Sequence, residues 1–478
     1  MTASLLAWIL PVFAGAGIHA AFVRELRGPG AVAAMLGYGY FIGLFLAAFL
    51  TCLLAGTQTS AAFARVAPCL AVIGAVAWSA AWYLRSRHVE ISAARLSNAA
   101  RVVIAVAVAL VVLRLWTLAA EAALRPVFPW DAWSAWSVKP KTWYLLDRFV
   151  AYVDPAAWLA APAADLRTSA VWDYPELLAW IEVWFASAAG AWNEPRIHLA
   201  WSGALAALGL ASYGQWRGIG IGAALAAVLA WAMLSLPLID AHAALAGYAD
   251  LWMAAVFGLA VLAWLRWIRR GGAGQLLLAA GFALCLPMIK LEGAVWLLIL
   301  SMVGVLGSIR ANLRWRLVLG AILLVTIAIS LGGFVFPMLG LGWVDVQWGE
   351  IVVPALGVLD LGWRPVGAAM LTGLFTLPNW HLLWYLLPVV LVWRWRRFAE
   401  DPASARIGTA LLACCVFLFV LFFFTDAAAW AENHTSANRL VLHLVPAIFS
   451  LLAVLLAQPS SAAVAPLRDQ PKADVDPG

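Results

Sequence analysis

The chain has 478 residues, of which 65% are hydrophobic and 11% charged, with a formal net charge of +6 and a mean hydropathy of +0.92. Soluble domains carry about a quarter charged residues, so a soluble one- or two-domain protein of this length is excluded. Apolar runs of about 17–25 residues recur from end to end, and they do not alternate as the short strands of an outer-membrane barrel would. The composition therefore predicts an all-α, polytopic helical membrane protein.

In chain order, candidate spans fall at about 5–23, 31–56, 66–84, 99–119, 174–192, 196–214, 219–239, 250–267, 274–289, 293–309, 317–340, 380–395, 407–425 and 439–457. The first, with no basic n-region and no small-residue cleavage site before Arg24, reads as a span and not as a cleaved signal. An amphipathic or re-entrant piece is expected at 365–377, after Pro365. The tail from Gln458 to Gly478 has no periodicity and is expected to be disordered. The five cysteines, Cys52, Cys69, Cys285, Cys414 and Cys415, show no disulfide or zinc spacing and read as small apolar residues.

Arginine clusters assign one face to the cytoplasm: Arg24/Arg27, Arg85/Arg87/Arg95/Arg101, Arg266/Arg269/Arg270, Arg310/Arg314/Arg316 and Arg394/Arg396/Arg397/Arg406. Segments 120–173, 240–250, 290–292, 341–379 and 426–438 then lie on the opposite face. Three apolar segments separate Asp173 from Asp250, yet both should face outward. One of the three, 174–192 or a neighbour, must therefore lie along the interface or be half-embedded, which leaves about 13 transmembrane helices.

The unusual polar residues concentrate at outer span ends. Asp131 sits among tryptophans in Trp130-Asp131-Ala132-Trp133 and opens an external loop of about fifty residues. An acid where a span meets water is a functional candidate, although a helix cap or a pair with Lys139 or Lys141 would also explain it. Asp173 and Glu176 are spaced to share one side of a helix starting near Pro175, or simply to complement its N-terminus. Asp250, in Gly247-Tyr248-Ala249-Asp250, either caps a span or adds a second acid beside Asp240 and His242. Lys290-Leu291-Glu292-Gly293 interrupts an otherwise continuous apolar stretch; it is a turn, and its lysine is also a point charge for phosphate. Glu432-Asn433-His434-Thr435-Ser436-Ala437-Asn438-Arg439 ends in a lone outer-face arginine, suited to bidentate phosphate binding or to snorkelling.

The order Trp-Asp-Ala-Trp with a following Lys, Asp-Tyr-Pro-x-Leu-Leu, Gly-Tyr-Ala-Asp-Leu, Lys-x-Glu-Gly and Thr-Ser-x-x-Arg-Leu resembles bacterial glycosyltransferases of the GT-C superfamily. These multi-span enzymes use polyprenyl-phosphate sugars and are related to aminoarabinose transferases and protein O-mannosyltransferases. The resemblance divides the chain into an N-terminal transmembrane extension (1–115), a GT-C-like catalytic region (116–457) with its catalytic loop at 120–173 after the fourth span, and the tail 458–478. It implies catalytic roles for Asp131, Asp250, Asp173 and Glu176, with Asp131 as base or acceptor organiser. It further implies substrate contacts from Lys290, Glu292, Arg439, Trp130, Trp133 and His434, with Lys290 and Arg439 on the donor phosphate.

The loop lacks the Asp-x-Asp or Asp-Glu pair, since Ala132 and Trp133 follow Asp131; no metal ligand is assigned and a divalent-metal cofactor is left open. The implied setting is the bacterial inner membrane with a periplasmic active site. Its partners would be membrane lipid, a polyprenyl-phosphate sugar donor and a glycan, lipid or protein acceptor, with no nucleic acid. A secondary transporter is the main rival, although no repeat between halves is visible and the charges lie at span ends. A polymerase or ligase acting on lipid-linked oligosaccharide is the other.

Overall fold

The computed structural model of the chain describes residues 2–23, 28–55, 57–84, 96–161, 165–338, 342–354 and 357–457. Arg24, Arg27, Arg85, Arg87, Arg95 and the tail from Gln458 lie outside the described residues. Helices account for 76% of the structure.

Four long apolar helices open the fold: α1 (Thr2–Phe22), α2 (Ala31–Leu54), α3 (Ala62–Tyr83) and α4 (Asn98–Leu124). Lipid offers no partner for backbone amides, so such runs must satisfy them internally as helices. Small residues bring α1 and α2 together: a Cβ on Gly43 would lie 1.7 Å from the Pro11 carbonyl oxygen, and one on Gly15 would lie 2.0 Å from that of Gly39. Without a hydrophobic drive between helices, such backbone approach supplies the packing. This N-terminal segment shares a core with the rest of the chain: Tyr38 donates to the Leu259 carbonyl at 2.8 Å, and Trp184 donates to that of Ala7 at 3.0 Å.

After α4 the loop holds α5 (Val138–Leu146), α6 (Pro155–Ala160) and a two-residue parallel pairing of β1 (Ala151–Tyr152) with β2 (Leu166–Arg167). Next come α7 (Leu177–Ala189), α8 (Glu194–Gly218) and the short helices α9 (Ala223–Leu234) and α10 (Pro237–Ala244), bent by 61°. Helix α7 has 13 residues and rises about 20 Å, short of the roughly 30 Å hydrocarbon core. Helix α11 (Asp250–Arg270) is the centre of the bundle, buried against α8, α12 (Ala273–Ile289) and the last helix.

Helices α13 (Gly293–Ser308) and α14 (Ala311–Ser330) lead into a four-stranded antiparallel meander, β3 (Phe334–Met338), β4 (Gly342–Gln347), β5 (Glu350–Val353) and β6 (Gly357–Asp360). The chain closes with α15 (Gly367–Leu371), α16 (Leu383–Trp393), α17 (Trp395–Glu400), α18 (Pro402–Phe424), α19 (Ala428–Glu432), α20 (Ser436–Leu442) and α21 (Val445–Leu456). The helix at 367–376 falls where the re-entrant piece was expected.

Two expectations change. Among the described residues, eight helices are long and apolar enough to cross a membrane, or nine if α9 and α10 form one bent span, so the length and composition of these helices do not reach about 13. One expected span, 219–239, is interrupted at Leu236, and another, 380–395, is cut short to the 11 residues of α16. The segment after α14 is a sheet, whose first strand takes up residues of the expected span 317–340. Its inner face, with Val344 and Val353 buried on Leu291 and Ala294, roofs the segment that joins α12 to α13.

Candidate functional site

Side chains from α10, from α20 and from the turn after α12 converge on Asp250. It is the first residue of α11, fully buried, and its side chain makes no capping bond, so it is free to face neighbouring helices. Its Oδ1 accepts from Lys290 Nζ at 3.0 Å and from His443 Nε2 at 3.1 Å, and its Oδ2 accepts from Arg439 Nε at 2.8 Å. A buried carboxylate is tolerated when cations and donors surround it in this way. Lys290 reaches it because α12 ends at Ile289 and the Lys290–Glu292 turn reverses the chain; Glu292 also pairs with Lys290 at 3.0 Å.

Arg439 joins the two acids. Its Nη1 donates to Asp131 Oδ2 at 2.6 Å while its guanidinium lies 4.7 Å over the Tyr248 ring. Asp131 precedes a π-helical turn, Ala132–Trp136, in which Ala132 and Trp136 are buried and hold the acid at the cavity edge. Neither Lys139 nor Lys141 pairs with Asp131: Lys139 donates to the Tyr174 carbonyl at 2.8 Å, and Lys141 bonds Glu194 at 2.8 Å.

His443 sits one helical turn beyond Arg439 and therefore on the same face. Trp296 Nε1 donates to its Nδ1 at 3.2 Å, which leaves Nε2 carrying the proton it offers to Asp250. His242 stands on the other side, its Nδ1 bonded to the Leu238 carbonyl at 2.8 Å and its buried Nε2 3.8 Å from Asp250.

Beside these groups is a cavity of about 350 Å³. Asp131, Lys290, Glu292 and Arg439 form its polar side; Trp130, Trp136 and Tyr174 form an aromatic wall; Val295, Phe417, Leu421 and Leu440 form an apolar flank. The structure thus unites Asp131, Asp250, Lys290, Glu292 and Arg439, with Trp130 at the rim.

The remaining sequence candidates stand further off. Trp133 packs against Trp130 with ring centres 4.8 Å apart. Glu176 meets Lys139 at 3.6 Å, behind Tyr174. The expected helix carrying both Asp173 and Glu176 is not formed: α7 starts at Leu177, and Asp173 lies in the turn before it. Burial raises the carboxyl pKa of both residues above its ordinary value, against the pull of Lys139, and lowers the ammonium of Lys139. His434 occupies a left-handed turn (φ 53°) and lines no part of the cavity. Asp240 pairs with Arg114 of α4, so the acidic element proposed for Asp240 and Asp250 is divided between two partners.

Among the described residues, no group of three or more His, Cys, Asp and Glu side chains is placed to hold a metal ion. Sequence reasoning missed His443, Trp296, Tyr248 and Tyr174; the four-residue spacing of Arg439 and His443 was the available signal.

The fold and this site define a helical membrane protein with a buried charge cluster beside a half-apolar cavity. No protein-family model, curated protein or solved structure matches the chain.

Proposed function

We propose that the protein is a glycosyltransferase that moves a sugar from a polyprenyl-phosphate donor to an acceptor at the periplasmic face of a bacterial inner membrane. The observation carrying this reading is the convergence of Lys290 and Arg439 with Asp131 at a cavity that has an apolar flank. A lipid phosphate sugar needs all three: cations for the phosphate, a carboxylate for the acceptor, and an apolar route for its tail.

In this mechanism phosphate oxygens take up Lys290 Nζ and the guanidinium of Arg439. The bond from the anomeric carbon to the phosphate oxygen breaks, and its electron pair remains on the phosphate, where the two fixed cations stabilise the growing charge. The acceptor oxygen bonds to the anomeric carbon and gives its proton to Asp131. Asp250 acts through the cations, holding both in place. Because Nη1 of Arg439 is engaged by Asp131, a phosphate oxygen claiming Nη1 displaces that carboxylate and frees it as a base. Trp130, Trp136 and Tyr174 offer ring faces to the sugar.

The test uses the purified chain in nanodiscs with polyprenyl monophosphate as probe. Binding should exceed that of the matching polyprenyl alcohol and fall in Lys290→Ala. Equal binding of phosphate and alcohol, with Lys290→Ala unchanged, would refute the phosphate site. Transfer is then followed by mass spectrometry of envelope glycans in a deletion strain, which names sugar and acceptor together. Supplying monosaccharide phosphate or diphosphate oligosaccharide donors separates a transferase from a polymerase or ligase.

The transporter reading draws on one observation, the 61° break between α9 and α10 beside the Arg114–Asp240 pair, since transporters place charges at broken helices. Solute-driven proton flux in proteoliposomes, without any glycan product, would establish it instead.

A further inference from the structure

A second buried polar cluster lies behind the turn that carries Asp131. Glu182 is fully buried within the apolar helix α7. Its Oε1 accepts from Ser137 Oγ at 3.1 Å and lies 3.7 Å from His198 Nε2, while Ser137 Oγ and His198 Nε2 are 3.4 Å apart. Glu182 Oε2 is buried with no hydrogen-bond partner. An ionisable side chain placed here costs stability unless something is gained by it.

Its neighbours show what is gained. The Ser137 amide closes the π-turn by donating to the Ala132 carbonyl at 2.7 Å, and Asp131 is the residue before that turn. Ala132 is pressed against Gly247: a Cβ on Gly247 would lie 2.6 Å from the Ala132 Cβ and 3.8 Å from His198 Nε2. The ring of His198 packs edge-on to Trp201 at 5.2 Å, and Trp201 donates to the Tyr248 carbonyl at 2.6 Å. Tyr248 in turn carries the Arg439 guanidinium. Helices α5, α7 and α8 therefore contribute side chains where the Asp131 turn touches the segment leading into Asp250.

The geometry points to Glu182, Ser137 and His198 as positioning residues that hold the Asp131 turn against the Gly247–Tyr248 segment and so fix Asp131 relative to Arg439. This rests on the glycosyltransferase reading for its catalytic consequence, and on packing alone for the clamp itself. Displacing a catalytic group by about 1 Å costs on the order of 100-fold in rate. Glu182→Leu should accordingly lower kcat by about 10- to 100-fold with KM for the polyprenyl-phosphate sugar unchanged. Glu182→Gln, which keeps an acceptor for Ser137, should restore most of it. Combined with Asp131→Asn, Glu182→Leu should add no further loss.

A parallel measurement needs no turnover: amide hydrogen exchange across 132–137 should rise in Glu182→Leu and stay near wild type in Glu182→Gln, at matched thermal midpoints. Unchanged exchange in Glu182→Leu overturns the clamp, as does a rise in KM matching the loss of kcat. If wild-type protein transfers no sugar while exchange still responds, the glycosyltransferase reading fails and the clamp stands. Should Glu182→Leu not fold, Ser137→Ala makes the same two measurements with a smaller cavity.

Discussion

Replacing Asp131 by Asn should strengthen the binding of polyprenyl monophosphate while sharply slowing transfer. Two cations, Lys290 and Arg439, are in contact with three carboxylates, Asp131, Asp250 and Glu292, so the cluster is net acidic before any phosphate arrives. Phosphate must displace a carboxylate, and Asp131 is the displaceable one, its side chain 36% exposed against 0% for Asp250. Exposed ion pairs are worth about 0.2–1 kcal/mol, while breaking a buried pair by removing one partner costs about 3–5 kcal/mol. A pair with one half-exposed partner falls between, at about 1–2 kcal/mol. At 1.4 kcal/mol per decade, that is a gain in affinity of roughly 5- to 30-fold. Loss of the base should cost about 100- to 10,000-fold in turnover. Fluorescence-detected binding in nanodiscs reads the first quantity and single-turnover transfer the second. Folding should survive, because Arg439 keeps Asp250. Weaker phosphate binding by Asp131→Asn would refute the displacement argument, since Asp131 would then be helping the phosphate.

Other perturbations have clear signs. Asp250→Asn leaves Lys290 and Arg439 without their shared buried carboxylate and should destabilise the protein by about 3–5 kcal/mol, read as a lower thermal midpoint in detergent; an unchanged midpoint would mean the cluster is hydrated. Gly43→Leu forces atoms onto the Pro11 carbonyl and should cost at least about 1–3 kcal/mol in the same assay, whereas Gly281→Leu, where nothing lies within 4 Å of a Cβ, should cost little. Burial raises Glu176 above 4.5, so the fold prefers its protonated form; that contribution is present below 4.5 and is lost as pH rises through the raised value. Glu194 is opposite. Bonds from Lys141, the Val127 amide and Trp192 overcome burial and hold it below 4.5, so its contribution is present above 4.5 and is lost as pH falls through the lowered value. Stability–pH curves of Glu176→Gln and Glu194→Gln should therefore depart from wild type in opposite directions on the acid side.

What could be read in the sequence was whatever is local to one helix end. Asp131, Asp250, Lys290 and Arg439 each interrupt an apolar run, and an ionisable group there has few places to go except a shared wet or mutually neutralised site. Their meeting depends on packing: Arg439 contacts residues 189 and 308 positions away, and no spacing rule reaches that far. Asp240 shows the limit, since it is closer to Asp250 in sequence than Asp131, Lys290 or Arg439, yet the bend between α9 and α10 delivers it to Arg114. The sheet was legible but unread: Trp343-Val344-Asp345-Val346-Gln347 alternates, and Gly349, at φ 86°, marks the turn before Glu350-Ile351-Val352-Val353. Glu182 was hidden for another reason. One acid inside Leu177–Ala189 barely lowers the hydropathy of the run, so a scan for spans passes over it. The physical cost of such an acid runs the other way, because it is greatest where the surrounding run is most apolar. A single carboxylate in the middle of a short buried helix is therefore stronger evidence of a built contact than an acid at a helix end that meets water.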